Sequence, residues 1–138
     1  MSEVSLSQLI TPSKTVTLDF PGMEGFTVDL CHQSRESLLK IRKSCVTTKF
    51  DRQTRLPLES LNEEKFVNEY CSAIVKGWKG LKYSYLEELL LVDVSAFSPD
   101  DELPFTLDNL VLMMKNVDSF EKWVEDSVGD LQNFTKSK

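Results

Sequence analysis

Polar and apolar residues alternate in two short segments near the start of the chain, on either side of a turn at residues 21–25 that contains Pro21 and Gly22. The apolar positions of the two segments are Val16, Leu18, Phe20, Phe26, Val28 and Leu30. Successive side chains of a strand point to opposite faces, so residues 14–30 are predicted to form a β-hairpin with one apolar face. Because a lone hairpin is marginal in water, this face is expected to pack on helices or to pair with another chain.

After the hairpin, apolar residues recur at helical spacing through most of the remaining chain. The predicted helices follow Ser34, run from Asn62 to Gly77 and from Ser84 to Leu91, begin after Thr106, and begin again at Asp118 or Ser119. Asn62 and Thr106 are good N-cap residues, because their side chains accept hydrogen bonds from free backbone N–H groups. The apolar run at residues 89–92 also fits a short buried strand; we choose the helix.

These elements predict a mainly α fold, with one domain of four or five helices and an N-terminal β-hairpin. Residues 14–134 would form this domain, whereas residues 1–13, which are rich in Ser, would be a flexible arm and residues 135–138 would fray. No apolar run approaches the roughly 20 residues that cross a bilayer, and the N-terminus lacks a secretory pattern. We therefore expect a cytoplasmic protein with no membrane partner.

The two C-terminal helices carry apolar stripes, which consist of Leu107, Leu110, Val111 and Met114 on the first helix and Val117, Phe120, Val124 and Val128 on the second. Two facing stripes can leave a groove that accepts a helix of another protein. The candidate partner-binding residues on this interpretation are Leu107, Leu110, Val111, Met114, Phe120 and Val124. The alternative is that both stripes are buried in the core of the domain itself. Met113 and Met114 fit either a core or an adaptable groove.

Charge is unevenly distributed along the chain. Residues 1–57 carry a net +2 and residues 58–138 a net −8, which gives −6 in total. The basic side chains concentrate in a stripe of Arg35, Lys40, Arg42, Lys43, Lys49, Arg52 and Arg55. No aromatic stacking platform is interleaved with this stripe and the acidic chain would repel a polyanion, so nucleic acid is not an expected partner. A solvated helix face, or contact with an acidic protein surface, fits the stripe better.

Candidate catalytic and metal-binding groups are few. Cys31, Cys45 and Cys71 are an odd number without Cys-x-x-Cys spacing, which argues against a disulfide framework and against a zinc site. His32 adjoins Cys31, but neighbouring side chains at a strand exit point apart. The acidic run at residues 100–102 has no second ligand cluster beside it, which is typical of a solvated loop. We therefore expect no enzyme activity, no metal and no cofactor.

Two further segments carry a resemblance to a known family. The first, Ile-Val-Lys-Gly-Trp-Lys-Gly-Leu at residues 74–81, ends a helical pattern, and the second, Leu-Pro-Phe-Thr-Leu-Asp-Asn at residues 103–109, begins one. This order of helix, Trp-x-Gly-Leu exit, loop, Leu-Pro-Phe-Thr and helix resembles the tail assembly chaperones of long-tailed, siphovirus-type bacteriophages. The resemblance covers residues 58–134.

Within the first segment, Gly77, Trp78 and Gly80 are predicted to form a structural anchor at the end of the helix of residues 62–77. The indole would close that end over the core, and a glycine would permit the turn. The alternative is that Trp78 is an exposed binding hot spot, since Trp is favoured in such sites.

The resemblance implies a protein that binds and solubilises the tape-measure protein and helps to recruit the tail-tube protein during tail assembly. Such a chaperone acts in the host cytoplasm and is absent from the mature virion. Self-association is also expected, because several copies on one long client would bind it with avidity. The stretch between Gly80 and Leu103 is longer and more apolar than the family suggests, and is predicted to add a helix or an oligomer contact. The alternative function is a non-enzymatic structural or regulatory module, such as a virion component that stays in purified particles.

Overall fold

A computed structural model of the chain describes residues 3–9 and 13–135. The expected flexible arm and frayed end fall partly outside these residues, at positions 1, 2, 10–12 and 136–138. The strands are β1 (Ser13–Asp19), β2 (Thr27–Gln33), β3 (Val46–Phe50), β4 (Pro57–Leu61) and β5 (Val75–Lys79). The helices are α1 (Leu6–Leu9), α2 (Arg35–Ser44), α3 (Glu63–Ile74), α4 (Tyr83–Leu89), α5 (Leu107–Asn116), α6 (Asp118–Gly129) and α7 (Gln132–Thr135). No helix among the described residues is long and apolar enough to span a membrane.

The alternating segments near the N-terminus pair as antiparallel strands β1 and β2, with Val16 opposite Leu30 and Leu18 opposite Val28. These four side chains lie in or against the core. The hairpin is longer than residues 14–30, because β2 continues to Gln33. It is completed on the other side of β2 by β5, so that β2 is the central strand of a three-stranded sheet.

The pairing of β2 with β5 contains a bulge between Asp29 and Leu30. Val28 lies opposite Trp78, and Leu30 lies opposite Val75. Residues three positions apart in a regular strand point to opposite faces, but the extra residue at a bulge shifts that alternation. Val75 and Trp78 are consequently both buried, at 1% and 7% exposure.

The prediction of a mainly α fold of four or five helices is wrong. The chain forms a mixed α/β structure, with a three-stranded sheet in the order β1-β2-β5 and a separate two-stranded sheet of β3 and β4. The four-residue spacing of Ile74 and Trp78 imitates a continuing helix, but the backbone leaves the helix at Val75, with φ −117° and ψ 117°. Trp78 is therefore buried through strand pairing rather than through helix packing.

The helices begin largely where the sequence predicts. Asn62 Oδ1 accepts a hydrogen bond from Lys65 N, and Thr106 Oγ1 accepts one from Asn109 N, each at 3.1 Å, which confirms both predicted N-caps. The predicted cap at Asp118 or Ser119 is wrong, because the cap position of α6 is the preceding Val117 and no side chain caps the helix there. Helix α4 covers most of the predicted segment but ends at Leu89.

A single core joins the sheet to the helices. Helices α3 and α6 pack on β2, and α5 packs on both of these helices. The largest fully buried side chains are Phe26, Phe120, Leu30, Ile74, Leu81, Leu110, Val28, Val75 and Val124. The rings of Phe26 and Phe120 stack with their centroids 6.3 Å apart, which links the hairpin directly to α6.

Gly80 is the position where the sheet ends and the chain turns toward α4. Its φ of +78° lies in the left-handed region, and a Cβ there would overlap the backbone carbonyl of Gly25. Gly80→Ala should lower the free energy of unfolding by more than the roughly 1–2 kcal/mol that the left-handed conformation alone costs a non-glycine residue. Urea unfolding followed by fluorescence measures this loss.

Gly129→Ala is the matched control for Gly80→Ala. Gly129 ends α6, and no atom lies within 4 Å of a Cβ built there. The Ala variant should be neutral or more stable by up to about 1 kcal/mol, because Ala restricts the unfolded chain. Equal midpoints for the two variants would contradict the close packing at Gly80.

Candidate functional site

Residues 74–81 and 103–109 meet at one contact, which we name the Trp78 junction and define by Trp78, Gly80, Leu81, Leu103 and Phe105. The indole Nε1–H of Trp78 donates to the carbonyl oxygen of Leu103 at 2.9 Å. The Trp78 and Phe105 rings meet edge to face, with centroids 4.8 Å apart. Leu103 N donates to Leu81 O at 2.8 Å. The junction thereby holds the chain before α5 against the end of β5.

Glu102 adds a second connection at the same place. Its Oε1 accepts a hydrogen bond from Gly80 N at 2.7 Å. Glu102 belongs to the acidic run at residues 100–102, so one carboxylate of that run has a structural partner. Groups of three or more His, Cys, Asp or Glu side chains placed to hold a metal ion are absent from the described part of the chain.

The three residues of the predicted anchor take separate places around the junction. Trp78 lies in β5 with its indole in the core, and the alternative of an exposed Trp78 does not fit its 7% exposure. Gly77 also lies within β5, where a Cβ would come 3.1 Å from the Asp29 carboxylate. Gly80 makes the turn. The prediction that these residues end a helix of residues 62–77 is wrong, because α3 ends at Ile74.

The candidate partner-binding residues on α5 and α6 are mostly inside the core. Leu110, Val111, Met114, Phe120 and Val124 are all buried, at 0–9% exposure. Leu107 is the exception, with 42% of its side chain exposed. A client could therefore contact Leu107 without opening the core, whereas the other five side chains are already covered by this chain.

Helix α5 nevertheless presents an exposed apolar side chain outside the two predicted stripes. Leu112 is 54% exposed and lies on a groove of about 280 Å³ between α3 and α5. The groove is lined by Glu64, Asn68, Asp108, Val111, Leu112 and Lys115. Two of these six residues are apolar, and the others include two acidic residues and one basic residue. The helical period alone would have found it, since Leu112 lies on the opposite side of α5 from Leu110 and Met114.

A second exposed surface is formed by α2 and the β3–β4 hairpin, residues 35–61, which we name the limb. Helix α2 has no buried residue, although Ser34 caps it with a 3.1 Å bond to Ser37 N. In β3 and β4 only Val46 and Leu61, at the base of the hairpin, are partly buried. The exposed large apolar side chains of the limb are Leu38, Leu39, Phe50, Leu56 and Leu58. In the sequence, this hairpin is marked only by β-branched residues before a Pro-containing segment.

The tip of the limb is an ordered turn. The Asp51 carboxylate accepts hydrogen bonds from Gln53 N and Thr54 Oγ1, both at 3.0 Å, and these bonds lower the pKa of Asp51. Arg55 N donates to Asp51 O at 2.7 Å, and Arg55 has a φ of +58°. Few residues other than Gly, Asn and Asp adopt this conformation. Arg52 and Arg55 therefore belong to one hydrogen-bonded turn, and both are exposed.

An acidic face lies on the body of the protein, along α6. Burial, and then the charges of Glu121 and Asp126, raise the pKa of Glu125. Burial, followed in size by the charge of Glu125, raises the pKa of Tyr70 on α3 as well. A carboxyl group whose pKa is raised by other carboxylates has them close by. Among the described residues, the one ion pair within 4.0 Å is the exposed pair of Lys40 and Glu36.

The cysteines are buried and do not form disulfides. Cys31 Sγ contacts the backbone oxygen of His32, and His32 Nδ1 lies 2.9 Å from Val128 O, so the two side chains do not form a nucleophile and base pair. Burial, and then the charges of Glu121 and Glu125, raise the pKa of the Cys71 thiol to about 11. A thiol held in its neutral form is a poor nucleophile near neutral pH.

Comparison with protein-family models, with curated proteins and with solved structures finds no match to this chain.

Removing the indole should destabilise the protein strongly. Trp78→Ala is expected to lower the free energy of unfolding by about 3–5 kcal/mol, the usual loss for a buried Trp. Trp78→Phe keeps an aromatic ring but leaves the Leu103 carbonyl without its donor, at a cost of about 1–3 kcal/mol. Leu91→Ala is the control, because Leu91 is fully exposed and its loss should change stability by less than about 0.5 kcal/mol. An unchanged melting midpoint in Trp78→Ala would refute the anchor role.

The buried Cys71 thiol should make stability fall at alkaline pH. Its pKa is about 11 in the folded protein against an ordinary value of 9.0, so its contribution is complete below pH 9 and is lost as the pH rises toward 11. The urea midpoint of the wild type should therefore drop more steeply than that of Cys71→Ala between about pH 8.5 and about pH 10.5. Tyr70 is present in both proteins, so the difference reports the thiol together with its charge coupling to Tyr70. Parallel curves would contradict a buried, neutral Cys71.

Proposed function

We propose that this protein is a tail assembly chaperone of long-tailed bacteriophages, which binds the tape-measure protein and helps to recruit tail-tube subunits in the host cytoplasm. The observation that carries the proposal is the Trp78 junction. The two segments of the resemblance are joined by the hydrogen bond from Trp78 to Leu103, 25 positions away in the chain, and by the packing of Trp78 on Phe105. These contacts hold the end of strand β5 against the approach to α5, so the two segments form one local unit.

The α3–α5 groove is the surface that best suits a helical client. Leu112 and Leu107 expose apolar surface on α5 that this chain does not cover. Glu64 and Lys115 line the same groove with opposite charges. An amphipathic helix is recognised by such a combination, because its apolar face fills the groove and its polar flanks meet the rim.

Coexpression with a fragment of the tape-measure protein tests the proposal. We expect the fragment to stay soluble and to co-purify with the wild-type protein. Leu112→Ser should reduce the recovered complex at least tenfold, because a hot-spot side chain at an interface contributes about 2 kcal/mol or more. Leu131→Ser is the matched control, since Leu131 is equally exposed, at 55% against 54%, and does not line the groove.

Two outcomes would count against the proposal in different ways. If the fragment stays insoluble with the wild-type protein, the chaperone function is contradicted and the alternative of a structural module is favoured. A structural module would be found in purified virions. If the fragment is recovered equally with Leu112→Ser and with the wild type, the chaperone function stands. The client would then bind a surface other than the α3–α5 groove.

A further inference from the structure

The limb combines exposed apolar side chains with a net positive charge. Residues 35–61 hold seven basic and three acidic residues, a net +4, whereas the rest of the chain holds nine basic and nineteen acidic residues, a net −10. Phe50 and Leu56, which flank the tip, are 66% and 61% exposed. A surface of this kind is unusual on a monomer and marks an interaction site.

The cations of the limb have no carboxylate partner within the described part of the chain, apart from the pair of Lys40 with Glu36. Arg52 and Arg55 at the tip are exposed and lie beyond 4.0 Å of any carboxylate described. The body, in turn, carries Glu121, Glu125 and Asp126 without a cation in ion-pair contact. Among the described residues, the limb therefore carries positive charge without a carboxylate partner, and α6 carries negative charge without a cation in ion-pair contact.

We propose that the limb of one copy docks on the α6 acidic face of a second copy, with Arg52 and Arg55 against Glu121, Glu125 and Asp126. The partner of the limb is a second copy of the chain, because every molecule carries both a basic limb and an acidic body. The limb of one copy therefore finds an oppositely charged surface on another. Complementary potentials of this kind guide association and fix its register. The inference does not depend on the proposed chaperone function.

The acceptor face offers apolar surface as well as charge. Tyr70 on α3 is half-buried, lies close to Glu125, and stacks on Phe66 with ring centroids 5.8 Å apart. An aromatic ring beside carboxylates suits an arginine, which can pair with the charge and lie over the ring. The exposed Phe50 and Leu56 of the limb would supply the apolar part of the contact.

Pairing of two limbs through the open edges of β3 or β4 is the competing arrangement. It would bring two surfaces of net +4 together, and like charges placed opposite each other across an interface are destabilising. Charge thus favours contact between unlike surfaces. Because limb and acceptor are different patches, two copies can dock reciprocally in a closed dimer, or the contact can repeat head to tail in a ring or a filament.

Charge reversal on each surface tests the proposal. The limb variant carries Arg52→Glu with Arg55→Glu, and the body variant carries Glu125→Lys with Asp126→Lys; all four side chains are exposed. Sedimentation velocity of the full chain at low salt should show the wild type associating as concentration rises. Each variant alone should associate at least tenfold more weakly, with an unchanged circular dichroism spectrum. High salt should also weaken the wild type, since the Debye length falls from about 10 Å at 0.1 M to about 3 Å at 1 M.

An equimolar mixture of the two variants is the decisive part of the experiment. The acidic limb tip of one variant then meets the basic α6 face of the other, and the basic limb tip meets the acidic α6 face, so association should return to near the wild-type level. A wild type that stays monomeric at low salt up to high concentration would overturn the proposal. So would a mixture that stays monomeric while the wild type associates, or a limb variant that associates as well as the wild type. Cross-links between two limbs in place of limb and α6 would also overturn it.

Discussion

The hydrogen bond from the Trp78 indole to the Leu103 carbonyl holds together parts of the chain that otherwise have little in common. Trp78 belongs to the sheet, whereas Leu103 begins the approach to α5. The T-shaped packing on Phe105 and the Gly80 turn act at the same point. Without this junction, α5 and α6 would lack a fixed position over β2, and the apolar stripes on these helices would lose their partners. The core, the α3–α5 groove and the acidic face of α6 all depend on it.

The molecule divides physically into a body with a closed core and a limb with almost none. In the body, the sheet and the C-terminal helices bury one another's apolar faces. The limb has its backbone hydrogen bonds and an ordered tip, but it leaves Phe50, Leu56 and Leu58 in water. A two-stranded hairpin of this kind gains little stability alone, so a partner surface would contribute most of its order. The division of charge follows the same boundary, with a basic limb and an acidic body.

The parts of the fold that could be predicted from sequence are those with strong local signals. Alternation gave the β1–β2 hairpin, and the side chains of Asn62 and Thr106 marked helix starts. Strand β5 could not be predicted, because Ile74 and Trp78 kept helical spacing across the point where the backbone becomes extended. The burial of Leu110 and Phe120 could not be decided either, since a stripe has the same pattern whether it faces its own core or a client. The exposure of the limb could not be predicted, because it depends on which other parts of the chain pack against it. A local sequence pattern does not contain that information.

Hydrogen exchange followed by mass spectrometry tests the division into body and limb most directly. In dilute protein, we expect amides of residues 74–81 and 103–116 to exchange slowly, because they belong to the junction and the core, and amides of residues 46–61 to exchange fast. Raising the protein concentration at low salt should slow exchange in residues 46–61 and leave the junction unchanged. Slow exchange of residues 46–61 at the lowest concentration, or fast exchange across the junction, would contradict the account.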